Sequence, residues 1–436
     1  MVPALEVWLL GQHIGTLTQA DGRLVFAYTP EWLAQNAVAG SAAMTPLSQS
    51  LPLQAESFND RAARPFFAGL LPEGDKRMLV AKALHVSNKN DFGLLDGIGG
   101  DCAGAVSLLE PGQTTHDTKS SEKIRWLDPM QLAKILDEMP KRPMLAGEDG
   151  LRLSLAGAQD KLPVVADGNR IGLPLSGTPS SHIIKPAIAG IDGSVHNEGF
   201  CMRLAAALSL DVAKVEIQHV DDRPYLLVER YDRNHDDDPD VSRTLKRLHQ
   251  EDFCQALGIP PELKYQNEGG PDLPQCFALV RRATRPSAPH ILKLLDYVVF
   301  NTLIGNHDAH AKNFSLLYGT GKTALAPLYD ALSTAVYPDL TKKMAMKIGS
   351  KYEFADAQAR HWEQFATAAG LSPAQVKKRI LEIAKRLPDI AHTTHKALHD
   401  EGNDHAIVSQ IVTLIEQRCM LTIRRLTTSS ADEVTP

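Results

Sequence analysis

The sequence predicts an α+β chain of two lobes, with a β-rich amino-terminal subdomain and an all-helical carboxy-terminal lobe. Three observations predict it. Short apolar runs parted by turn residues fill residues 5–28 and recur between 151 and 229. After the acidic stretch at 235–240, the apolar positions take helical spacing and hold it almost to the end of the chain. The chain has 436 residues, 43% hydrophobic and 22% charged, which is enough for two or three domains of ordinary globular composition.

Taken in order, residues 5–28 read as a meander whose runs are broken at Gly11-Gln12 and at Asp21-Gly22, a strong hairpin signal. A mixed segment over 51–92 holds a helix near 76–84. Glycines 93, 97, 99, 100 and 104 lead into a strand at 105–109, but no G-x-G-x-x-G opens a helix there, which excludes a dinucleotide fingerprint. Residues 111–125, rich in Gly, Ser, Thr and Lys, are a linker between a subdomain at 1–110 and a second lobe. That lobe, 126–235, opens with Asp128 as cap and Pro129 at the first helical position. Strand-like runs follow at 151–155, 161–166 and 183–185, with a turn at Asp167-Gly168-Asn169, then a helix at 197–208 and strands at 215–220 and 225–229. The last lobe, 236–436, carries helices at 251–257, 273–282, 290–304, 357–369, 374–387 and 405–426, with Ser372-Pro373 starting one of them.

Composition narrows the function. A formal net charge of −6 argues against bulk electrostatic binding of nucleic acid. Five scattered cysteines without C-x-x-C spacing read as reduced structural thiols. The start of the chain has no basic, apolar leader, and no stretch approaches the roughly 18 apolar residues that span a bilayer. The expectation is a cytoplasmic protein with no membrane partner.

The polar density lies at His307-Asp308-Ala309-His310-Ala311-Lys312-Asn313, directly after the apolar run ending at Ile304. Asp308 and Asn313 have the D-x-x-x-x-N spacing of a kinase catalytic loop, and Asp330 stands where a second metal-binding carboxylate is needed. Phosphoryl transfer asks for such a set: a carboxylate to orient the attacking hydroxyl, and an Asn and an Asp to hold Mg²⁺ against ATP phosphates. A β-rich half, then a helical half with this loop after a long helix, is the arrangement of a two-lobed protein-kinase-like fold. Ser154-Leu155-Ala156-Gly157-Ala158-Gln159-Asp160-Lys161 can lay backbone N–H groups over phosphates or form an ordinary hairpin loop. Lys185 can reach phosphates from a strand and pair with Glu198; a solvated lysine is the plainer reading. The strand entering Glu229-Arg230-Tyr231-Asp232 suits an adenine- and ribose-binding hinge, or a solvated turn. Gly319-Thr320-Gly321-Lys322-Thr323 only imitates a P-loop and reads as a hairpin turn. A metal hydrolase using His307, Asp308 and His310 leaves Lys312 and Asn313 without roles.

These motifs, with Leu248 through Gln255, Tyr329 through Ser333 and the amino-terminal Gly69-Leu70-Leu71-Pro72-Glu73-Gly74, resemble the HipA toxins, serine/threonine kinases of type II toxin–antitoxin modules, over nearly the full chain. The resemblance implies Asp308 as catalytic carboxylate and Asn313 and Asp330 as Mg²⁺ ligands. For ATP it implies Lys185, the backbone of Glu229 to Tyr231, Asp232 at the ribose, and the loop residues Ala156, Gly157, Ala158, Gln159 and Lys161. His310 and Lys312 match the motif without an individual role. Ser154 falls at the family's autophosphorylation position. The resemblance further implies a HipB-like helix-turn-helix antitoxin, operator DNA bound through it, and an aminoacyl-tRNA synthetase target such as the glutamyl enzyme. No residue of this sequence specifies that target. A small-molecule kinase would share every catalytic residue, and a non-catalytic co-repressor scaffold would need none of them. Basic clusters at 281–285 and 342–343 leave DNA contact open.

Overall fold

The structure, a computed structural model, describes residues 3–36, 46–114, 123–175, 177–235, 245–319 and 322–428. The core of the expected linker and most of the acidic stretch at 235–240 lie outside the described residues. The chain divides into two compact units of interleaved segments: 1–186, 218–262 and 315–324 in the first, and 187–217, 263–314 and 325–436 in the second. This differs from a single boundary after 235, because strand pairing returns later segments to the β-rich unit.

In the first unit, β1 (Ala4–Leu9), β2 (Gln12–Ala20), β3 (Arg23–Tyr28) and β4 (Val106–Leu109) form one sheet in the order β3-β2-β1-β4. At the β2–β3 turn Asp21 and Gly22 take φ of 50° and 75°, the left-handed pair a two-residue hairpin requires. Leu5, Val7, Leu9 and Phe26 alternate inward and meet Phe66 and Phe67 of α2 (Asp60–Ala68) in one apolar core. Helices α1 (Pro30–Asn36), α3 (Gly74–Ala83), α4 (Asp91–Ile98) and α5 (Pro129–Glu138) also belong here. In α5, Asp128 and Gln131 form a reciprocal capping box with Pro129 in the first turn, as the sequence predicts.

The larger sheet runs antiparallel through β5 (Ile124–Leu127), β7 (Arg170–Pro174), β6 (Leu162–Asp167), β8 (His182–Pro186) and β10 (Arg223–Glu229), in that order. The strands β5 and β7 were not expected. The run at 151–155 is extended but joins no strand, making an isolated bridge between Leu153 and Asp101. The strands β9 (Val215–Val220) and β15 (Lys322–Leu325) carry the chain from one unit to the other. A small pair, β11 (Arg233–His235) and β12 (Leu245–Arg247), precedes β13 (His249–Asp252), which pairs with β14 (Ser315–Gly319). The helix expected at 251–257 is therefore shorter: α7 (Phe253–Leu257) starts where Asp252 caps it.

Among its described residues the second unit is mainly helical, with a hairpin of β16 (Lys343–Ile348) and β17 (Lys351–Glu353). Its helices are α6 (Ser194–Ala207), α8 (Leu273–Ala283), α9 (Ser287–Ile304), α10 (Ala359–Ala368), α11 (Pro373–Asp400) and α12 (Ala406–Thr427). The sequence places the end of α11 at Leu387, before Pro388, yet the helix continues to Asp400. Proline forfeits one backbone bond there, and burial of Ile380, Ile383, Leu387, Ala391 and Leu398 offsets the loss. Helix α12 is long and apolar enough to cross a membrane by length and composition, which corrects the expectation that no stretch approaches that limit. Ile407, Val408, Ile411, Ile415 and Leu426 form its buried face, and it packs against α6, α9 and α11. All five cysteines are free and buried.

Candidate active site

The second unit builds the loop from α9 outward. Gly305 ends that helix at φ 75°, and a Cβ there would stand 2.6 Å from the Ala335 Cβ, so the reversal requires glycine. Asn306 then ties the loop to the helix: its amide donates to Asn301 Oδ1 at 2.8 Å, and its own Oδ1 accepts from the Asp308 backbone N–H at 3.1 Å. His307 N–H donates to Thr334 Oγ1 at 2.8 Å, and the His307 carbonyl accepts from Ala345 of β16 at 2.8 Å. His307 is buried, and burial lowers its pKa despite the bond its Nδ1 makes to the Thr341 carbonyl at 2.9 Å.

This scaffold leaves Asp308 half-buried, with Oδ1 accepting from the Tyr265 hydroxyl at 2.7 Å. Downstream, a short 3-10 turn at Ala311–Asn313 buries His310, Lys312 and Asn313. The Tyr329 hydroxyl donates to the Lys312 carbonyl at 2.7 Å, and a bridge between Val212 and Leu328 fixes the approach to Asp330. Asp330 itself sits at φ 58°, in the left-handed region that aspartate enters more readily than most non-glycine residues. Asn313 Nδ2 lies 3.5 Å from Asp330 Oδ2, so the unit brings together the two expected metal ligands. Rotating that amide presents oxygen instead of nitrogen, and an amide oxygen beside a carboxylate is a hard-oxygen pair suited to Mg²⁺. The donor set fits. Among the described residues no three His, Cys, Asp or Glu side chains gather into a metal cluster. Asn197, which sequence reasoning passed over, clamps Ser333 from both sides, Ser333 N–H to Oδ1 at 2.7 Å and Nδ2 to the Ser333 carbonyl at 2.9 Å.

The first unit holds the other expected positions. Lys185 is buried on β8, opposite Leu226 of β10; Glu198 is buried on α6 of the second unit. Glu229 is exposed and Tyr231 half-buried, its hydroxyl on Gln250 Oε1. The Arg230 backbone N–H is taken by the Ser181 carbonyl at 3.0 Å. Asp232 is 2% exposed, and its carboxylate accepts from Arg230 at 2.7 and 2.9 Å and from the Gly104 N–H at 2.6 Å. Burial favours the neutral acid, and Arg230 and Arg233 overcome it, holding the carboxyl below its ordinary range. Asp101 is held in the same way by Arg233, Arg247 and Arg230. Asp232 is thus a member of a buried ion cluster.

The loop after Ser154 is seated on the segment Leu70–Glu73. Ser154 is 0% exposed, its N–H on the Asp101 carbonyl and its Oγ donating to the Leu70 carbonyl at 2.8 Å. Gly157 (φ 110°) accepts from the Glu73 N–H at 3.0 Å, Lys161 Nζ donates to the Ala156 carbonyl at 2.7 Å, and Lys76 pairs with Asp160 at 2.6 Å.

Family comparison accounts for both halves. Residues 153–391 match the HipA-like C-terminal domain, and residues 5–109 match the HipA N-terminal domain. The chain belongs to the HipA family. It is 29% identical over 429 residues to the serine/threonine-protein kinase toxin HipA of Shewanella oneidensis, covering 95% of each chain. It is 49% identical over 385 residues to Y4mE of Sinorhizobium fredii, a protein named as a candidate kinase, covering 88% of this chain and 89% of that one. The solved Shewanella oneidensis complex of HipA, HipB and operator DNA matches with a TM-score of 0.82 at 28% identity, covering 99% of each chain. The expected two-lobed HipA fold is therefore the fold found.

Proposed function

We propose that this HipA-family chain is an ATP- and Mg²⁺-dependent serine/threonine protein kinase, the toxin of a toxin–antitoxin pair. The observation that carries the reading is the second unit's constellation: Asp308 on a backbone fixed by Asn306, with Asn313 and Asp330 gathered as an oxygen pair a few residues on. Asp308 receives and orients the acceptor hydroxyl, and the loop's hydrogen bonds spare it reorganisation as the reaction proceeds. Mg²⁺ on Asn313 and Asp330 would neutralise charge on the transferred phosphoryl group. Lys185 and the loop 156–161 are the phosphate-binding elements in this reading, and His310 and Lys312 support the catalytic loop.

Self-silencing at Ser154 is supported by where that residue lies. Its hydroxyl is fully buried and donates to a carbonyl, so accepting phosphate requires the loop to leave its seat. Once esterified, Ser154 Oγ has no hydrogen to give the Leu70 carbonyl, and the phosphate adds about −1.5 to −2 charge near neutral pH, so the loop could not reseat. A HipB-like helix-turn-helix antitoxin, with operator DNA bound through it, is supported by the likeness to the Shewanella complex. An aminoacyl-tRNA synthetase, the glutamyl enzyme first, is the target to try.

The test is mass spectrometry of protein made in a host lacking this kinase, wild type and Asp308→Asn, after incubation with Mg²⁺-ATP. A gain of about 80 Da, one phosphoryl group, at Ser154 in wild type alone is the expected result. ATP binding without protein phosphorylation would move the assignment to a small-molecule kinase; no ATP binding would leave a co-repressor scaffold.

A further inference from the structure

Within the second unit a pocket of about 370 Å³ opens beside the catalytic loop, in the size range of small-ligand sites. Asp308 and His307 line it, together with Tyr265, Asn267, Thr341 and Lys343. Asn313 and Asp330 are not among its lining residues. A group entering it meets the catalytic carboxylate without meeting the metal-binding pair, which is the geometry asked of an acceptor rather than of a nucleotide.

The Tyr265 wall is rigid. Gly269 turns the chain at φ 97°, and a Cβ on Gly270 would stand 2.1 Å from the Leu263 carbonyl. The Tyr265 carbonyl accepts from Glu268 at 3.0 Å and Gly270 at 2.9 Å, and Gln266 Oε1 accepts from the Lys347 N–H of β16 at 2.8 Å. A hydroxyl held so firmly on Asp308 Oδ1 fixes the carboxylate's rotation and leaves Oδ2 as the oxygen that can take a second hydroxyl. We propose that this pocket is the acceptor subsite, taking a serine- or threonine-bearing peptide segment, and that Tyr265 is a positioning residue that aims Asp308 into it. The proposal rests on the kinase reading and names where its substrate enters.

The experiment uses full-length protein, Mg²⁺-ATP and a positional-scanning library of serine peptides, comparing wild type with Tyr265→Phe and Asn267→Trp. Asn267 is exposed on the rim, so the tryptophan fills the pocket without disturbing the core. The rim variant raises KM for peptide about tenfold and leaves KM for ATP within about twofold. Tyr265→Phe lowers kcat about 10- to 100-fold and leaves KM for peptide and for ATP within about twofold, because the aim of Asp308 is lost and the binding surfaces are not. A purely structural Tyr265 would raise KM for peptide or ATP together with the fall in kcat, overturning its assignment. Wild-type parameters for peptide in Asn267→Trp overturn the pocket. Wild type that transfers phosphate to no acceptor, itself included, overturns the kinase reading and this subsite with it.

Discussion

Replacing Glu251 by glutamine isolates a titration built into the first unit. Glu251 is fully buried on β13, and its carboxylate accepts from the Ser48 and Tyr318 hydroxyls and from the Gln49 N–H at 2.9 Å. Burial outweighs those three donors and pushes its pKa up to about 7, from an ordinary value of 4.5. The folded state therefore holds the proton more tightly than the unfolded chain. Its contribution is fully present below pH 4.5 and is lost as pH rises to 7 and beyond. The shift corresponds to about 3 kcal/mol. His249 on the same strand works against it, since burial pushes that imidazole down to about 4, and its contribution is lost as pH falls from 6.5 to 4. Tyr28 and Tyr318 face the same network and are raised by burial, so they stay neutral throughout. The two opposing slopes nearly cancel in wild type between pH 4.5 and 6.5. In Glu251→Gln the histidine slope stands alone. The variant's stability relative to wild type should rise by about 3 kcal/mol between about pH 4.5 and pH 8. Amide exchange on peptides from β13 and β14 reads this unit without requiring the whole chain to unfold in one step. A difference constant with pH to within about 1 kcal/mol would refute the argument.

Two further outcomes are expected. Arg230→Met leaves Asp232 and Asp101, both buried, without one of their guanidiniums and should cost about 3–5 kcal/mol by denaturant titration; Arg247→Met, on a partly exposed side chain, should cost clearly less. Asn306→Ala removes both the brace to Asn301 and the acceptor for the Asp308 N–H, and should lower kcat about 10- to 100-fold with little change in KM for ATP.

Local chemistry was legible in this sequence wherever neighbouring residues decide the outcome. Asp21-Gly22 requires a left-handed turn whatever surrounds it, and Asp128-Pro129 caps a helix by its own hydrogen bonds. The Asp308–Asn313 spacing was readable because a short turn brings residues five apart into one loop. What the sequence left hidden depended on distant partners. Asp232 ends an apolar strand in a cluster of charges, and its own segment gives no sign that Gly104, more than a hundred residues earlier, donates to it. Pro388 stops a helix by propensity, and only a long apolar face elsewhere on the unit overrides it.

The same limit explains the basic stretch at 281–285, which could be read as a nucleic-acid contact. Arg281 donates to the Ala369 carbonyl at 2.9 Å, and Arg285 donates back to the Arg281 carbonyl at 2.9 Å. These guanidiniums satisfy carbonyls at helix ends, as cationic side chains there commonly do. Tyr265 is the converse case. Forty-three residues before Asp308, between Lys264 and Gln266, it has no local mark of function, and its meaning comes from one 2.7 Å bond and the rigid turn behind it. A motif can name the carboxylate that does the chemistry. The residues that aim it are set by packing, so they are found from the fold.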